Sequence, residues 1–233
     1  MGKIFIDHGI IFEDNASGLT VRGFADKDDK RLKLVIPDSL ESAEHPGLKP
    51  SHVIVNRIHA RAFLNAKNLQ SIELPETIRV IEEYAFNECS NVKEVHSYGR
   101  HSNELLVIEK GAFLYCSKLE QVQFNRQLIF IANDVFKGCR CLKTFTGKIS
   151  IVHRGAFDGC NLESLAFADK STIKANSIEK SGVKKLVFHG ESCTIMAKVW
   201  NWIKKAKMQI CCLPNSNLIN LAYEGVNIVV MKE

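Results

Sequence analysis

The sequence predicts an α/β repeat solenoid, with short parallel strands on one face and irregular, 3₁₀ or short helical return segments. Three observations predict it. An aromatic residue recurs at nearly regular intervals, an aliphatic residue precedes it by five positions, and a small residue follows it by three. One such unit cannot bury its own apolar side, whereas stacked units bury a continuous core. The 233 residues are enough to form several units in one domain.

Six units are in phase, and they share three key positions. The central positions are Phe63, Phe86, Phe113, Phe136, Phe157 and Ile178. The aliphatic positions are Ile58, Ile81, Ile108, Ile131, Val152 and Ile173. The small positions are Ala66, Cys89, Cys116, Cys139, Cys160 and Ser181. We therefore predict six stacked coils over residues 58–190.

Each unit divides into a strand and a return segment. In the first unit, Leu69, Ile72 and Leu74 end in the alternation typical of a strand with one buried face. The stretch around Phe63 lacks that alternation, so we expect it to be the return path, formed by a single helical or 3₁₀ turn. The repeat length lies within the roughly 20 to 29 residues typical of leucine-rich repeats.

The segments IEEYAFNECSNVKEV (81–95) and IEKGAFLYCSKLEQVQF (108–124) resemble the BspA-like leucine-rich repeat family, whose unit is similar to I-x-x-x-A-F-x-x-C-x-x-L-x-x-I-x-x-P. The resemblance covers residues 58–188 and extends weakly to LKLVIP (32–37). The chain departs from the pattern by keeping proline only at Pro37 and Pro75, and by replacing Phe and Cys in the sixth unit. The resemblance implies a surface or secreted protein of a bacterium or protist that acts in adhesion or protein binding.

The two ends differ in character from the repeats. We predict an N-terminal cap with a degenerate repeat over 1–57, including a loop over 41–52, and a C-terminal cap over 191–233. Residues 195–207 place Met196, Val199, Trp200 and Ile203 on one helical face, so we expect a helix that covers the open end of the core. Attachment of this basic helix to a membrane surface or a partner groove is the alternative. Strands are expected at 210–214 and 226–231, with a short helix near 217–223 between them.

The interval between Phe86 and Phe113 contains about four extra residues, which we place in a loop over Ser97–Asn103. Loops that project from one edge of a solenoid often make contacts, and tyrosine and arginine are common interface anchors. Tyr98 and Arg100 are therefore candidate partner-binding residues, and a neutral insertion is the alternative.

The eight cysteines do not indicate a metal or catalytic site. Four of them occupy the small position of the repeat and should form an internal column of inert thiols, since parallel Cβ vectors would keep their Cβ atoms too far apart for disulfides. Along a strand, Cys211 and Cys212 should point in opposite directions. The chain lacks paired C-x-x-C motifs, H-E-x-x-H, a phosphate loop and G-x-S-x-G. We therefore expect no metal, no cofactor and no enzymatic activity.

The net charge of +5 is mild, and its lysines form only two local clusters, at 184–185 and 204–207. No dense basic stripe is present, so a nucleic-acid partner is not expected. The sequence contains no apolar run long enough for a transmembrane segment. Asp7 and His8 interrupt the first apolar run, which makes a signal peptide a poor fit. An intracellular location is slightly favoured on this ground, and the cell surface or secretion is the alternative implied by the resemblance.

We predict the binding face from the residues that flank each buried strand position. These outward residues are Ser71, Glu73, Glu94, His96, Gln121, Gln123, Thr144, Thr146, Ser164, Ala166, Lys185 and Val187. The predicted face changes from acidic through neutral to basic along the stack. The sequence thus favours a non-enzymatic module for protein–protein interaction or adhesion. A structural spacer or scaffold segment is the alternative, and both the partner's identity and the oligomeric state are left open.

Overall fold

The structure is a computed structural model that describes residues 2–50, 53–99, 104–126, 129–219 and 226–231. Its strands are β1 (Ile4–Asp7), β2 (Ile10–Asn15), β3 (Gly18–Phe24), β4 (Lys33–Val35), β5 (Val55–Ile58), β6 (Ser71–Pro75), β7 (Val80–Ile81), β8 (Glu94–Tyr98), β9 (Leu106–Ile108), β10 (Gln121–Gln123), β11 (Ile129–Ile131), β12 (Thr144–Thr146), β13 (Lys148–Val152), β14 (Ser164–Ile173), β15 (Lys185–Phe188), β16 (Cys193–Ile195), β17 (Gln209–Cys212) and β18 (Asn227–Val230). The helix found among the described residues is α1 (Ala197–Lys205).

The chain winds into a solenoid of about six coils with parallel strands, and the strands line two faces instead of the one that the sequence predicted. Within the described residues, a large sheet of thirteen strands contains β5, β7, β9, β11 and β13, and a small sheet of five strands has the order β12-β10-β8-β6-β4. Each of the first four coils contributes one strand to each sheet, with a return turn between them. The aliphatic position before each Phe was predicted to belong to the return path, and that was wrong. It lies in a second, very short strand that is too brief to show alternation.

In the later coils the long strand β14 belongs to the large sheet alone. Its first part, Ser164–Phe167, pairs with β15, and its last part, Ser171–Ile173, pairs with β16. Both parts also pair with β13. In the earlier coils, separate strands fill the place of the small sheet and the place of the large sheet. Strand β14 runs without a break through both places and belongs to the large sheet. Strands β15 and β17, which follow it in the strand order, therefore belong to the large sheet as well.

The return segments are hydrogen-bonded turns. They take the irregular form among the predicted alternatives, and the expected single helical or 3₁₀ turn is not found in them. In every coil the residue two positions before the central one has a left-handed backbone, with φ between 56° and 68°: Arg61, Tyr84, Gly111, Asp134, Gly155 and Asn176. This conformation turns alternate N–H groups toward the next coil. In the first coil, Arg61, Phe63 and Asn65 donate to the carbonyls of Glu83, Ala85 and Asn87 at 2.8–3.1 Å. In a helix these N–H groups would bond to carbonyls of the same segment. Here they bond to the next coil, so the return segment forms a turn instead of a helix.

A ladder of phenylalanine rings runs through the centre of the return turns. Phe63, Phe86, Phe113, Phe136 and Phe157 stack with centroid separations of 5.1–5.4 Å and interplanar angles of 7–9°. All five are at most 2% exposed. Burying each ring stabilises the fold by about 1.5–3 kcal/mol, and a favourable ring pair adds about 0.5–1.5 kcal/mol. Every coil therefore depends on its neighbours for its largest apolar contact.

The cysteines of the repeat form a buried column, and each thiol donates a hydrogen bond to the preceding coil. The Sγ atoms of Cys89, Cys116, Cys139 and Cys160 lie 3.1–3.2 Å from the carbonyl oxygens of Phe63, Phe86, Phe113 and Phe136. All eight cysteines of the chain are free. The predicted opposite directions of Cys211 and Cys212 stay a prediction, and both residues are buried. Cys211 lies in register between Val187 and Val229 on the neighbouring strands.

The N-terminal end is closed by a hairpin and a loop. Strands β1, β2 and β3 form an antiparallel meander, and β3 pairs in parallel with β5. The segment 38–50 then contributes Leu40 and Leu48 to the core, and the ring of His45 contacts Phe5 edge-on at 5.9 Å. The described part of the predicted loop over 41–52 therefore helps to cover this end, since its Leu48 and the preceding Leu40 join the core.

The C-terminal segment continues the stack instead of ending it at the sixth coil. Strand β16 pairs with β14, α1 follows at the position of a return turn, and β17 and β18 extend the large sheet. Val199 and Ile203 are the buried residues of α1. Residues 220–223 of the predicted short helix lie outside the described residues. The predicted cap role of α1 stays a prediction, because two further strands follow it.

The turn stack ends at Glu179, whose carboxylate takes the place of the next coil's carbonyls. Asn176 and Ile178 occupy positions whose N–H groups donate to the following coil elsewhere in the stack. Here they donate to Oε1 and Oε2 of Glu179, at 2.7 Å and 3.0 Å. Glu179 supplies these acceptors because the next coil contains α1 in place of a return turn, and α1 presents no matching turn carbonyls. An anionic acceptor also suits this position, because the N–H groups of Asn176 and Ile178 both point to it.

Replacing Glu179 with alanine should lower the free energy of unfolding by about 1–2 kcal/mol, because two backbone donors lose their acceptor. Glu179→Gln should cost less, since one amide oxygen can still accept. Urea denaturation measures both. The exposed Glu163→Ala variant is the control and should change stability by less than about 0.5 kcal/mol. Equal losses in all three variants would contradict the role of Glu179.

The cysteine column should make stability fall at high pH. Burial raises the pKa of the Cys89, Cys139 and Cys160 thiols above the ordinary 9.0. The folded chain then keeps protons that the unfolded chain releases, so stability is retained below pH 9 and declines as the pH rises above it. Urea midpoints between pH 7 and pH 10.5 measure the decline. A variant with alanine at these three positions should show a shallower decline, and an unchanged slope would refute this explanation.

Candidate functional site

The outward face of the small sheet brings together eight of the predicted binding residues in two columns. One column contains Ser71, Glu94, Gln121 and Thr144, and the other contains Glu73, His96, Gln123 and Thr146. Strand β4 adds Lys33 and Val35 at the start of these columns. The inward residues between them, such as Ile72 and Val95, are fully buried. The sheet register therefore aligns the polar side chains, because it is fixed by the apolar residues behind them.

Four side chains in the middle of this face form a closed ring of polar contacts. Gln121 Nε2 donates to Glu94 Oε2 at 3.1 Å, and Gln123 Nε2 donates to Gln121 Oε1 at 3.3 Å. His96 Nε2 lies 3.1 Å from Glu94 Oε2, and His96 Nδ1 lies 3.1 Å from Gln123 Oε1.

The carboxylate of Glu94 fixes the direction of every bond in this ring. A carboxylate only accepts, so the Gln121 amide group must point toward it and the Gln121 oxygen must face Gln123. Gln123 then presents its own oxygen to His96. Both ring nitrogens of His96 consequently face acceptors. The ring presents a fixed pattern of polar groups to solvent.

The ring affects the ionisation of Glu94. The hydrogen bond from His96, together with that from Gln121 and the charge of Lys33, holds the pKa of the Glu94 carboxyl below its ordinary value of 4.5. The lowered pKa of Glu94 stabilises the folded chain at pH values above the ordinary pKa of 4.5. This stabilisation is lost as the pH falls through the pKa that Glu94 has in the folded chain.

A groove of about 630 Å³ lies where the small sheet meets the N-terminal end. Its apolar lining includes Ile10, Val35, Pro37 and Tyr98. The Tyr98 hydroxyl donates to the Ile36 carbonyl at 2.5 Å. Burial, with Asp38 and Glu73 nearby, raises the pKa of Tyr98 to about 12, so the phenol stays neutral. The groove thus offers an aromatic wall beside the polar face.

The charged lining of the groove is predominantly acidic. It contains Asp7, Asp38, Glu41 and Glu44, against the cations Arg31 and Lys33. Both cations are already paired: Arg31 Nη2 lies 2.7 Å from Asp29 Oδ2, and Lys33 Nζ lies 2.6 Å from Glu73 Oε1. Asp7 lies 2.9 Å from His8 Nδ1 and 3.8 Å from His45 Nε2. The surplus of negative charge in the groove therefore comes from Asp38, Glu41 and Glu44.

A buried ion pair supports the face from behind. Arg126 donates to the backbone carbonyls of Glu76 and Ile78, and its Nε lies 3.4 Å from Glu76 Oε2. Ser97 Oγ donates to Glu76 Oε1 at 2.6 Å and accepts from the Asn125 N–H at 2.9 Å. Because breaking a buried pair leaves an uncompensated charge, this cluster holds the ends of β6, β8 and β10 in one arrangement.

Two predicted site residues, Tyr98 and Lys185, lie elsewhere than expected, and a third, Arg100, lies outside the residues that the structure describes. Tyr98 belongs to strand β8 and not to a projecting loop, since Pro75 and Tyr98 are paired in register. Lys185 lies on β15 in the large sheet, so the predicted gradient does not continue across one sheet to it. The cause is β14, which places the strand of the fifth coil in the large sheet, so that the small sheet ends at β12 of the fourth coil. Arg100 lies outside the described residues.

Sequence reasoning missed the groove residues Asp38, Glu41 and Glu44. The degenerate repeat LKLVIP gave the position of β4 but not the path of the loop that follows it. The prolines of that loop predicted a turn. No local sequence pattern indicates which strands such a loop will contact. The groove is a product of the long-range contact between the loop and the start of the small sheet.

The described residues show no group of three or more His, Cys, Asp or Glu side chains that could hold a metal ion. Within the same residues, no helix is both long and apolar enough to cross a bilayer.

The repeat pattern matches a known family. The model of the BspA type leucine rich repeat region matches residues 51–163 and 144–212, with six copies. The chain belongs to this family. A comparison with curated proteins found no match.

Solved structures share the fold of these repeats. A leucine rich cell surface protein from Faecalibacterium prausnitzii is 19% identical with a TM-score of 0.52, and the match covers 85% of this chain and 57% of that chain. A Treponema pallidum leucine rich repeat protein is 20% identical with a TM-score of 0.50, covering 83% and 86%. The pneumococcal vaccine antigen PcpA is 14% identical with a TM-score of 0.52, covering 93% and 66%. The BspA-type chain therefore spans little more than half of the first of these structures.

The contact between His96 and Glu94 predicts a measurable change in ionisation. In a His96→Ala variant the pKa of Glu94 should rise toward 4.5, because its main hydrogen-bond donor is lost. Carboxyl ¹³C NMR titration follows this group directly. Thr146→Ala is the matched control on the same face and should leave the Glu94 titration unchanged. A Glu94 pKa that is equal in the wild type and in His96→Ala would contradict the ring.

Proposed function

We propose that this chain is a non-enzymatic binding module that holds a segment of a protein partner on the outward face of the small sheet. The partner-binding residues are Ser71, Glu73, Glu94, His96, Tyr98, Gln121, Gln123, Thr144 and Thr146. The family supports a binding role, since leucine-rich repeats typically present extended surfaces to partners.

The observation that carries the proposal is the junction of a rigid polar face with an open groove. The ring of Glu94, His96, Gln121 and Gln123 offers preorganised hydrogen-bonding groups that lose little entropy on binding. The groove beside it offers Tyr98 and the half-exposed Val35 as apolar contacts. Binding sites commonly combine an aromatic or aliphatic anchor with a polar surround. The extended shape of the face suits a peptide segment or loop.

A structural spacer is the second candidate function. The observation that favours it is that the large sheet ends in an unpaired strand edge at each end of the described chain, β1 and β18. A spacer uses its ends and leaves the faces free, so substitutions on the small sheet distinguish the two functions.

Selection of peptides from a display library on the immobilised wild-type chain tests the binding function. Selected peptides should bind a Glu73/Glu94/His96 triple-alanine variant at least about tenfold more weakly, because several polar contacts and their ordering are lost. A Lys67/Lys118/Lys180 triple-alanine variant, altered on the return-turn side, is the matched control and should bind as the wild type does. Circular dichroism and urea unfolding confirm that both variants fold.

Two results would argue against this function. One is peptide binding that is equal in the face variant and the control. The other is loss of binding in both variants, which would place the contact outside the small sheet.

A further inference from the structure

The large sheet has an open hydrogen-bonding edge at β1. In the described residues β1 pairs only with β2. Asp14 N–H donates to the Lys3 carbonyl at 2.8 Å, so Lys3 and, by alternation, Phe5 and Asp7 direct their backbone groups toward β2. Ile4 and Ile6 therefore direct theirs away from the sheet. Their side chains are 57% and 59% exposed.

The opposite end of the same sheet is open at β18. This strand pairs only with β17 within the described part of the chain. Met231 N–H donates to the Cys212 carbonyl at 2.8 Å, which places the backbone groups of Ile228 and Val230 on the outer edge. Val229 and Val230 are 40% and 48% exposed. An edge with exposed aliphatic side chains is a site for strand addition.

The two edges have compatible directions. Strand β1 is antiparallel to β2, β2 is antiparallel to β3, and β3 is parallel to β5. Strand β1 thus runs in the same direction as the strands of the coils, and so does β18. Translation of one chain along the solenoid axis therefore brings β18 beside the β1 of a second copy in parallel orientation, which continues the sheet.

The charges of the two ends are complementary. Residues 174–212 contain eight lysines and two glutamates, a formal charge of +6, whereas the whole chain carries +5. Lys198, Lys205 and Lys207 of this segment are exposed. At the other end, the 38–50 loop presents Asp38, Glu41 and Glu44 at the acidic groove. Opposite charges at opposite ends favour head-to-tail contact over contact between like ends.

We propose that copies of this chain associate end to end, with β18 of one copy added to the β1 edge of the next. The basic C-terminal coils of the first copy then lie near the acidic N-terminal loop of the second. Such a contact is heterologous, so each copy keeps one free end and the assembly grows as an open chain. The buried area is small, and the association is accordingly weak, with a dissociation constant on the order of 10–100 μM.

Sedimentation velocity of two proline variants tests the geometry. Ile6→Pro removes an outward N–H from β1, and Val230→Pro removes one from β18, while the pairing of each strand with its neighbour stays intact. Wild type should increase in average mass between roughly 1 and roughly 500 μM. Each variant alone should stay at 26.2 kDa. An equimolar mixture should form a 1:1 dimer that grows no further, because each variant supplies the edge that the other lacks.

Charge variants test the pairing without altering a strand. Asp38→Asn/Glu41→Gln/Glu44→Gln should weaken wild-type self-association at least about fivefold, and added salt should do the same. The matched control Glu120→Gln/Asp158→Asn/Glu163→Gln removes equal charge from the middle of the stack and should have little effect. Unfolding in urea at wild-type midpoints shows that these variants are folded.

Three outcomes would overturn the proposal. The wild type stays monomeric throughout the concentration range, or the two proline variants fail to form a dimer on mixing although both are folded. The third is a dimer of Ile6→Pro alone, which would indicate contact between two β18 edges instead. Peptide binding to the small sheet is measured separately, so failure of either proposal leaves the other standing.

Discussion

The stack of return turns is the constraint on which the rest of this solenoid depends. Each turn places a phenylalanine ring against the next ring and directs three N–H groups at the carbonyls of the following coil. Neither contact exists within a single coil. These bonds require residues with a left-handed backbone, which include Arg61 and Tyr84. For a residue with a side chain, the left-handed conformation costs roughly 1–2 kcal/mol. The stack compensates for that cost by satisfying the backbone.

The same stack explains the composition of the repeat. A residue that faces the turn interior must be small, and a thiol can also donate to the carbonyl of the preceding phenylalanine. Alanine fits the space without making the bond, and serine in the sixth coil donates to its own turn instead, from Ser181 to Ile178. Where the regular turns end, Glu179 supplies the acceptors. The cysteines are therefore explained by packing and hydrogen bonding in a folded chain, with no need for redox or metal chemistry at these positions.

The faces and the ends of the solenoid have different physical characters. On the small sheet, polar side chains bond to one another and form a fixed surface whose apolar contacts lie in the adjacent groove. At β1 and β18, the two ends of the large sheet within the described residues, backbone groups are unpaired, aliphatic side chains are exposed and the nearby charges are opposite. Faces of this kind suit recognition of a partner, and ends of this kind suit extension of the stack, so both uses are compatible in one molecule.

The sequence by itself determined the repeat, its phase and its buried positions, because each coil repeats the same apolar requirements at fixed spacing. The family, the phenylalanine positions, the cysteine column and the outward residues of β6, β8, β10 and β12 were all predictable in this way. Only the tertiary structure decided that a second set of strands exists, since two- or three-residue strands such as β7 are stabilised by their neighbours and show no period of their own. It also decided that Lys185 leaves the small sheet, that Tyr98 lies against a groove and that Arg126 pairs with Glu76. Those features depend on contacts between residues far apart in the chain, and no local spacing encodes them.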